Sequence, residues 1–366
     1  MCLQTSNNLT ISMKIAFIDT SYPLNNRNDK LIESFYLNYP GCEIHAITWN
    51  RENLSIEELG YTVHSYEVKS QLGNYVDKLR KLFGFYKYVK YELRKISPDI
   101  IIASHWETLI AGSLYKGSAK KLVYENLDIP TGGKFIRTII VMLERMSLKK
   151  ADMIIHASRF YKDLYSQNIQ QYVLENKPTL FDVNDYTPLQ IHAPLRISFI
   201  GSLRYPDIFY SLIDAVKDDD RVHLSLHGAG SHFESISQYA KEISNITLTG
   251  RYAYNDIKHL YDESDLIWAV YPSKDYNVKY AISNKFHESM MLRRPGIYCS
   301  GTKLGDFVSE NRLGFVVNPY DVNEIKKLIN RILKNPSLIH DVERSISQFV
   351  VTEKTWEEDF KEIQFI

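Results

Sequence analysis

At 366 residues the chain exceeds the usual span of one hydrophobic core, so two domains are expected. Its 44% apolar and 24% charged residues are ordinary for a soluble globular protein, and 44 basic residues balance 44 acidic ones, which argues against a dedicated nucleic-acid binder. The three cysteines, Cys2, Cys42 and Cys299, are odd in number and far apart, fitting a reducing compartment without a disulfide framework, and no zinc-type Cys/His spacing occurs.

Residues 1–12 are polar and lack the apolar core of a signal peptide, so they read as a disordered or upstream tail. No apolar run approaches a bilayer span, which predicts a cytoplasmic chain or one that lies on a membrane without crossing it. From Met13 onward, short apolar runs alternate with helical patterns, the signature of parallel sheets with crossover helices. Strands are expected at Lys14–Ile18, Glu43–Thr48, Ile100–Ala103, Leu122–Tyr124 and Met153–His156, with helices over Asp29–Tyr39, Tyr75–Ile96 and Lys134–Lys149. After a proline-bearing stretch the pattern restarts, with strands at Arg196–Ile200, Val222–His227, Ile246–Thr249, Leu266–Val270, Gly296–Tyr298 and Gly314–Val317. Their continuous apolar runs predict strands buried on both faces. The expected organisation is an α/β chain of two tandem Rossmann-like, doubly wound domains over 13–185 and 186–350, with a linker near 180–194. A final helix over 351–366 is expected to pack back across the domain junction. Ligands of such sheets bind at the carboxyl ends of the strands, here in a central cleft that the two domains face.

The strands of the second half end in small or special residues: Gly201-Ser202-Leu203-Arg204, Gly228-Ala229-Gly230, Gly250-Arg251 and Tyr271-Pro272-Ser273. Glycine there lets a ligand approach the backbone closely. A helix start follows at Ser283-Asn284-Lys285-Phe286-His287-Glu288. Its unpaired N–H groups and positive end suit an anion such as a diphosphate, Lys285 adds a cation, and Glu288 places a hydroxyl acceptor on the same face. Phosphate plus vicinal diol describes a nucleotide. Taken locally, the same residues also describe an ordinary Asn-capped helix with a charged outer face, and Arg204 also reads as a surface arginine.

Together these pieces, with Tyr261-Asp262-Glu263-Ser264-Asp265-Leu266 and Arg294-Pro295-Gly296, resemble the donor-binding domain of GT-B glycosyltransferases. The closest likeness is to the retaining group 1 enzymes of bacterial surface polysaccharides. Ala151 to Ser158 resembles that family's strand closing the first domain. The resemblance implies that Glu288 binds the ribose hydroxyls of a nucleoside-diphosphate sugar, with UDP- and GDP-sugars the leading donors. It implies that Arg204 and Lys285 face the diphosphate, with Gly201, Gly228, Gly230, Ser283 and Asn284 around it. It further implies retention of configuration, no cofactor and no bound metal. The chain departs from the family in three places. Tyr280 stands where an earlier glutamate would serve the transferred sugar, Asp19-Thr20-Ser21-Tyr22-Pro23 replaces a glycine pair, and Tyr205-Pro206-Asp207 lacks a lysine.

In the first domain His105 and Asp128, at strand ends, are the catalytic candidates toward the acceptor, with Glu125, just past its strand, as a further one. His105 also reads as a hydrogen-bonded surface histidine, and Asp128 as the first residue of an Asp-Ile-Pro turn. Residues 76–97 carry seven Lys/Arg against Asp77 and Glu92, interleaved with aromatics, and Lys134–Lys150 repeats the theme. Such helices suit an anionic membrane surface, or simply pack their apolar face on the sheet. The expectation is a peripheral glycosyltransferase at the inner face of the cell membrane, acting on a glycan or lipid-linked acceptor and not on nucleic acid. A non-catalytic GT-B partner subunit of another transferase and a nucleotide-sugar epimerase are the alternatives.

Overall fold

The structure, a computed structural model, describes residues 13–70, 75–179 and 186–366. The polar tail and residues 180–185 of the expected linker lie outside the described residues. The chain divides into two compact units: residues up to Leu174 together with Glu357–Ile366, and Glu175–Trp356. The break thus falls eleven residues before the 185/186 boundary read from the prolines.

The first unit is a seven-stranded parallel sheet. Its strands are β1 (Lys14–Ile18), β2 (Glu43–Trp49), β3 (Thr62–Tyr66), β4 (Ile100–Ser104), β5 (Lys121–Asn126), β6 (Met153–His156) and β7 (Gln170–Val173), in the order β3-β2-β1-β4-β5-β6-β7. Helices α1 (Asn26–Asn38), α2 (Tyr75–Ile96), α3 (His105–Tyr115) and α4 (Lys134–Leu148) cross between them. Central strands form where apolar residues run continuously, because both faces must be buried. Ile15–Ile18 of β1 pairs with Ile44–Ile47 on one side and with Ile100–Ala103 on the other. The edge strands β3 and β7 were not expected. Their sequences, Thr-Val-His-Ser-Tyr and Gln-Gln-Tyr-Val, are half polar, as an edge with a wet side tolerates. Helix α2 buries Leu82, Phe85, Val89, Leu93 and Ile96, a stripe at helical spacing, against the cluster containing Trp49 and Ile101.

The second unit is a six-stranded parallel sheet. Strands β8 (Leu195–Ile200), β9 (Val222–His227), β10 (Ile246–Gly250), β11 (Leu266–Trp268), β12 (Gly296–Cys299) and β13 (Gly314–Val317) run in the order β10-β9-β8-β11-β12-β13. Its helices are α5 (Pro206–Val216), α6 (Phe233–Ala240), α7 (Ile257–Asp262), α8 (Asn284–Met291), α9 (Lys303–Asn311), α10 (Val322–Lys334) and α11 (Ser337–Val350). Contrary to the expectation of strands buried on both faces, β9 alternates buried and half-buried residues and β10 alternates half-buried and exposed ones. Helices α5 and α6 pack on β9 and β10, and the alternation marks a second face that is only partly covered. Helix α12 (Trp356–Lys361) starts at the end of this unit, and the residues after Trp356 belong to the first. There Phe360 and Phe365 place their rings 5.3 and 4.6 Å from Phe35 of α1.

In both sheets the strand order reverses once, at β1/β4 and at β8/β11. Loops leaving the two strands at such a point diverge, which opens a crevice at their carboxyl ends.

Candidate active site

In the second unit that crevice is floored by backbone. Gly201 and Gly228 hold φ of 147° and 131°, values that side-chain-bearing residues avoid. A Cβ at Gly228 would overlap the Gly201 carbonyl oxygen, and one at Gly230 would overlap the Leu203 carbonyl oxygen. The glycines after β8 and β9 therefore let two loops pack main chain on main chain.

Lys285, in the first turn of α8, reaches over this floor. A Cβ on Gly201 would lie 2.7 Å from its Nζ, so the missing side chain is the space the ammonium uses. Nζ donates to the Tyr271 hydroxyl at 2.8 Å and lies 4.3 Å from the Phe199 ring centroid. The side chain is buried, and among the described residues no carboxylate makes a salt bridge with it. At the start of the same helix Ser283 is the N-cap, with its hydroxyl neither capping the helix nor otherwise bonded. Asn284 is exposed and accepts from Asn176 Nδ2 at 3.1 Å.

Glu288, one turn on, is buried, and its Oε2 accepts from the Tyr261 hydroxyl at 2.7 Å. Burial pushes its carboxyl pKa up, while the Tyr261 bond and the Lys285 charge pull it back. Arg294 anchors the far end of α8 from within, donating to the carbonyls of Thr187 and Tyr261 at 2.9 and 3.0 Å. Arg204 is exposed in the turn between β8 and α5, with Nε on Ser202 Oγ at 3.1 Å. Tyr280 pairs with Tyr276, ring centroids 5.4 Å apart. Of the second-unit candidates, Gly201, Gly228, Gly230 and Lys285 thus form one surface, Ser283 and Glu288 share its helix, and Arg204 and Asn284 stand exposed on flanking turns.

The first unit has its own polar cluster at the carboxyl ends of β1, β4 and β5. Asp19, in place of the glycine pair, is fully buried and accepts from Ser21 N and Oγ, Asn25 Nδ2 and Asn28 Nδ2 at 2.8–3.0 Å. Burial raises its pKa, and the neighbouring His105 works against that rise. Ser104 donates to Glu125 Oε2 at 2.7 Å and lies 3.1 Å from Asn28 Oδ1. His105 is the first residue of α3 and holds φ of 68°, a conformation rare for a non-glycine residue. Asp128 is exposed in the turn after β5. Glu125 departs from its reading as a residue past the strand. It lies inside β5, fully buried, with Oε1 2.7 Å from Arg27 Nε, and this pairing commits the carboxylate.

Sequence reasoning missed the partners. Tyr261 and Tyr271 lie in stretches singled out by sequence, but their pairing with Glu288 and Lys285 was not read, and the Asn28–Ser104–Glu125–Arg27 network carries no local motif. The one available signal was Asp19 itself, a carboxylate ending an otherwise apolar strand. Among the described residues no group of three or more His, Cys, Asp or Glu side chains is arranged to hold a metal ion.

Residues 194–335 match the family described as glycosyl transferases group 1, a span that includes the glycine floor, Lys285 and Glu288. The match lies wholly within the second unit and covers less than half of the chain. A curated relative, the succinoglycan biosynthesis protein ExoL of Rhizobium meliloti, is 24% identical, and the match spans 65% of each chain, just under two thirds of the relative's length. Among solved structures, sucrose-phosphate synthase of Thermosynechococcus elongatus superposes with a TM-score of 0.73 at 16% identity, covering 96% of this chain and 97% of that one. Anabaena HepE in complex with UDP gives 0.69 at 16% identity, covering 96% and 98%. At these identities the likeness shows the fold, the two-domain α/β fold of GT-B glycosyltransferases.

Proposed function

We propose that the chain moves a sugar from a nucleoside-diphosphate sugar to a glycan acceptor on a lipid carrier, in cell-surface polysaccharide synthesis. The observation that carries this reading is Lys285, a residue only 6% exposed whose ammonium is set against the Gly201 backbone without a salt-bridged carboxylate among the described residues. A buried cation whose direct partners are a neutral hydroxyl and an aromatic ring is costly, and a diphosphate supplies a charge in contact with it. The start of α8 adds main-chain donors, Arg204 a second cation, and Glu288 an acceptor for ribose hydroxyls. The solved HepE complexes hold UDP and UDP-glucose, which makes a UDP-sugar the first donor to test.

In the transfer, the bond from the anomeric carbon to the diphosphate breaks and the acceptor oxygen bonds to that carbon. The acceptor proton passes to a phosphate oxygen, and the nucleoside diphosphate leaves. Lys285 and Arg204 stabilise the charge that grows on it. Retention without a metal, and a first unit whose His105 and Asp128 serve the acceptor, belong to the same reading. The name of ExoL supports a surface glycan as product, and a lipid-linked acceptor places the protein against the inner face of the cell membrane.

Titration calorimetry with UDP tests the donor site. The wild type is expected to bind, and Lys285→Met to bind at least about tenfold more weakly. Turnover should fall roughly 10²–10³-fold in Lys285→Met, as for other preorganised donors to a developing anion. Unchanged UDP affinity in Lys285→Met overturns the assignment. Conversion of a UDP-sugar without any acceptor would instead make the chain an epimerase.

A further inference from the structure

Helix α4 departs from the usual arrangement of a surface helix. Ordinarily the apolar stripe faces the core and the polar face meets water. Along Lys134–Leu148 the two buried residues are Glu144 and Ser147, both polar. Glu144 Oε1 accepts from the hydroxyls of Tyr124 and Tyr165 at 2.7 and 2.9 Å, so the helix is tied down through a carboxylate. Five apolar side chains point the other way, Phe135 at 77% exposed, Ile136 59%, Ile139 40%, Met142 53% and Met146 59%, while Ile140, Val141, Leu143 and Leu148 are half-buried. At 3.6 residues per turn, Phe135, Ile139, Met142 and Met146 fall within about 60° of one another, and Glu144 lies roughly 180° from Phe135. A contiguous exposed stripe of this kind marks a binding surface.

Charge selects the occupant. Lys134 and Arg145 flank the stripe, Lys149 and Lys150 follow its last turn, and all four are exposed. The helix's single carboxylate, Glu144, is buried on the opposite side. Aliphatic, Met and Phe side chains whose exposed charged neighbours along the helix are all cations match a bilayer surface, where headgroup phosphates lie level with the cations and acyl chains just beneath. Among the described residues no helix is long and apolar enough to cross a membrane, so the contact would lie in the plane of the surface. Helix α2 differs. It exposes Phe83 beneath the Lys87 ammonium, yet its main apolar stripe is spent on the core.

We propose that α4 is the surface through which the chain docks on a bilayer of anionic lipid. This deepens the membrane part of the proposed function and rests on it. Flotation of the full chain, without donor, tests it on vesicles of equal parts phosphatidylglycerol and phosphatidylcholine and on pure phosphatidylcholine. The wild type should float with the anionic vesicles and far less with the neutral ones. Phe135→Ser combined with Met142→Ser, both at exposed positions, should weaken binding at least about tenfold, and Lys149→Glu with Lys150→Glu about fivefold per cation lost. Equal flotation of the wild type and the Phe135/Met142 variant overturns the α4 assignment and leaves a membrane-bound transferase standing. Absence of wild-type flotation overturns both. A lipid-free dimer that these serine substitutions turn into monomers makes α4 a self-association face and likewise overturns the proposal. UDP affinity of the same variants reports that the second unit is intact.

Discussion

His156 closes β6 fully buried, its Nδ1 3.1 Å from Asn126 Nδ2 and its Nε2 2.8 Å from Gln171 Oε1. Burial disfavours the imidazolium and holds its pKa down to about 4. In the unfolded chain a histidine titrates near 6.5, so on acidification the unfolded state takes up the proton first. The stability contributed by neutral His156 is therefore complete above about pH 6.5 and is lost as the pH falls toward 4, roughly 3 kcal/mol in all. Urea unfolding at pH 7 and at pH 4.5 measures this, and His156→Gln should flatten the difference relative to the wild type. Equal acid sensitivity in the two proteins would refute the account. At this scale the sequence was partly legible. Lys285 and Glu288 could be named because spacing along one helix puts them on one face. Their hydroxyl partners Tyr271 and Tyr261 could not, since the fold brings them from 14 and 27 positions away. Glu125 was misjudged for the same reason: only the fold shows that Arg27, 98 positions earlier, has claimed it.

Among the elements, the strand–glycine junctions of the second unit are the most demanding. Gly228 combines φ of 131° with a Cβ position overlapping the Gly201 carbonyl oxygen, whereas Gly250 holds φ of 74° with nothing within 4 Å of its Cβ position. Gly228→Ala should cost roughly 2–4 kcal/mol and impair UDP binding, because the floor beneath Lys285 must shift. Gly250→Ala should cost only the left-handed strain of about 1–2 kcal/mol. Chemical denaturation ranks the two, and an equal cost for both would show that backbone contact at Gly228 is unimportant. Element positions were otherwise legible wherever apolar residues ran continuously or at a regular period: β1, β6, β9, β13 and α2 match their expected ranges. The edge strands β3 and β7 and helix α3 were missed. Half-polar edges lack a buried-strand signal, and α3 opens on His105 without a side-chain cap bond. For α4 the extent was readable but the outward direction of its apolar face was not, since periodicity finds a stripe without saying what it faces.

Across the whole molecule, the chain's last ten residues complete the first unit rather than the second. Phe360 and Phe365 are buried on Phe35, and Lys121 Nζ donates to the Gln364 carbonyl at 2.7 Å. Truncation after Trp356 should destabilise the first unit by roughly 3–6 kcal/mol, the value of burying two aromatic side chains. A lowered urea midpoint for the truncated chain is the expected result, and an unchanged midpoint would count against that packing. The sequence by itself determined the class of architecture, because short apolar runs alternating with helical periods are local properties that any parallel α/β unit must display. It also determined the charge pattern of the α8 start, where Lys285 and Glu288 lie one turn apart. Tertiary structure alone decided which charges have partners and which surfaces are left without them. Glu125 is paired with Arg27, Lys285 has no salt-bridged carboxylate among the described residues, and α4 buries a carboxylate while exposing an apolar stripe. Those outcomes depend on pairings between distant positions, and no local pattern encodes them.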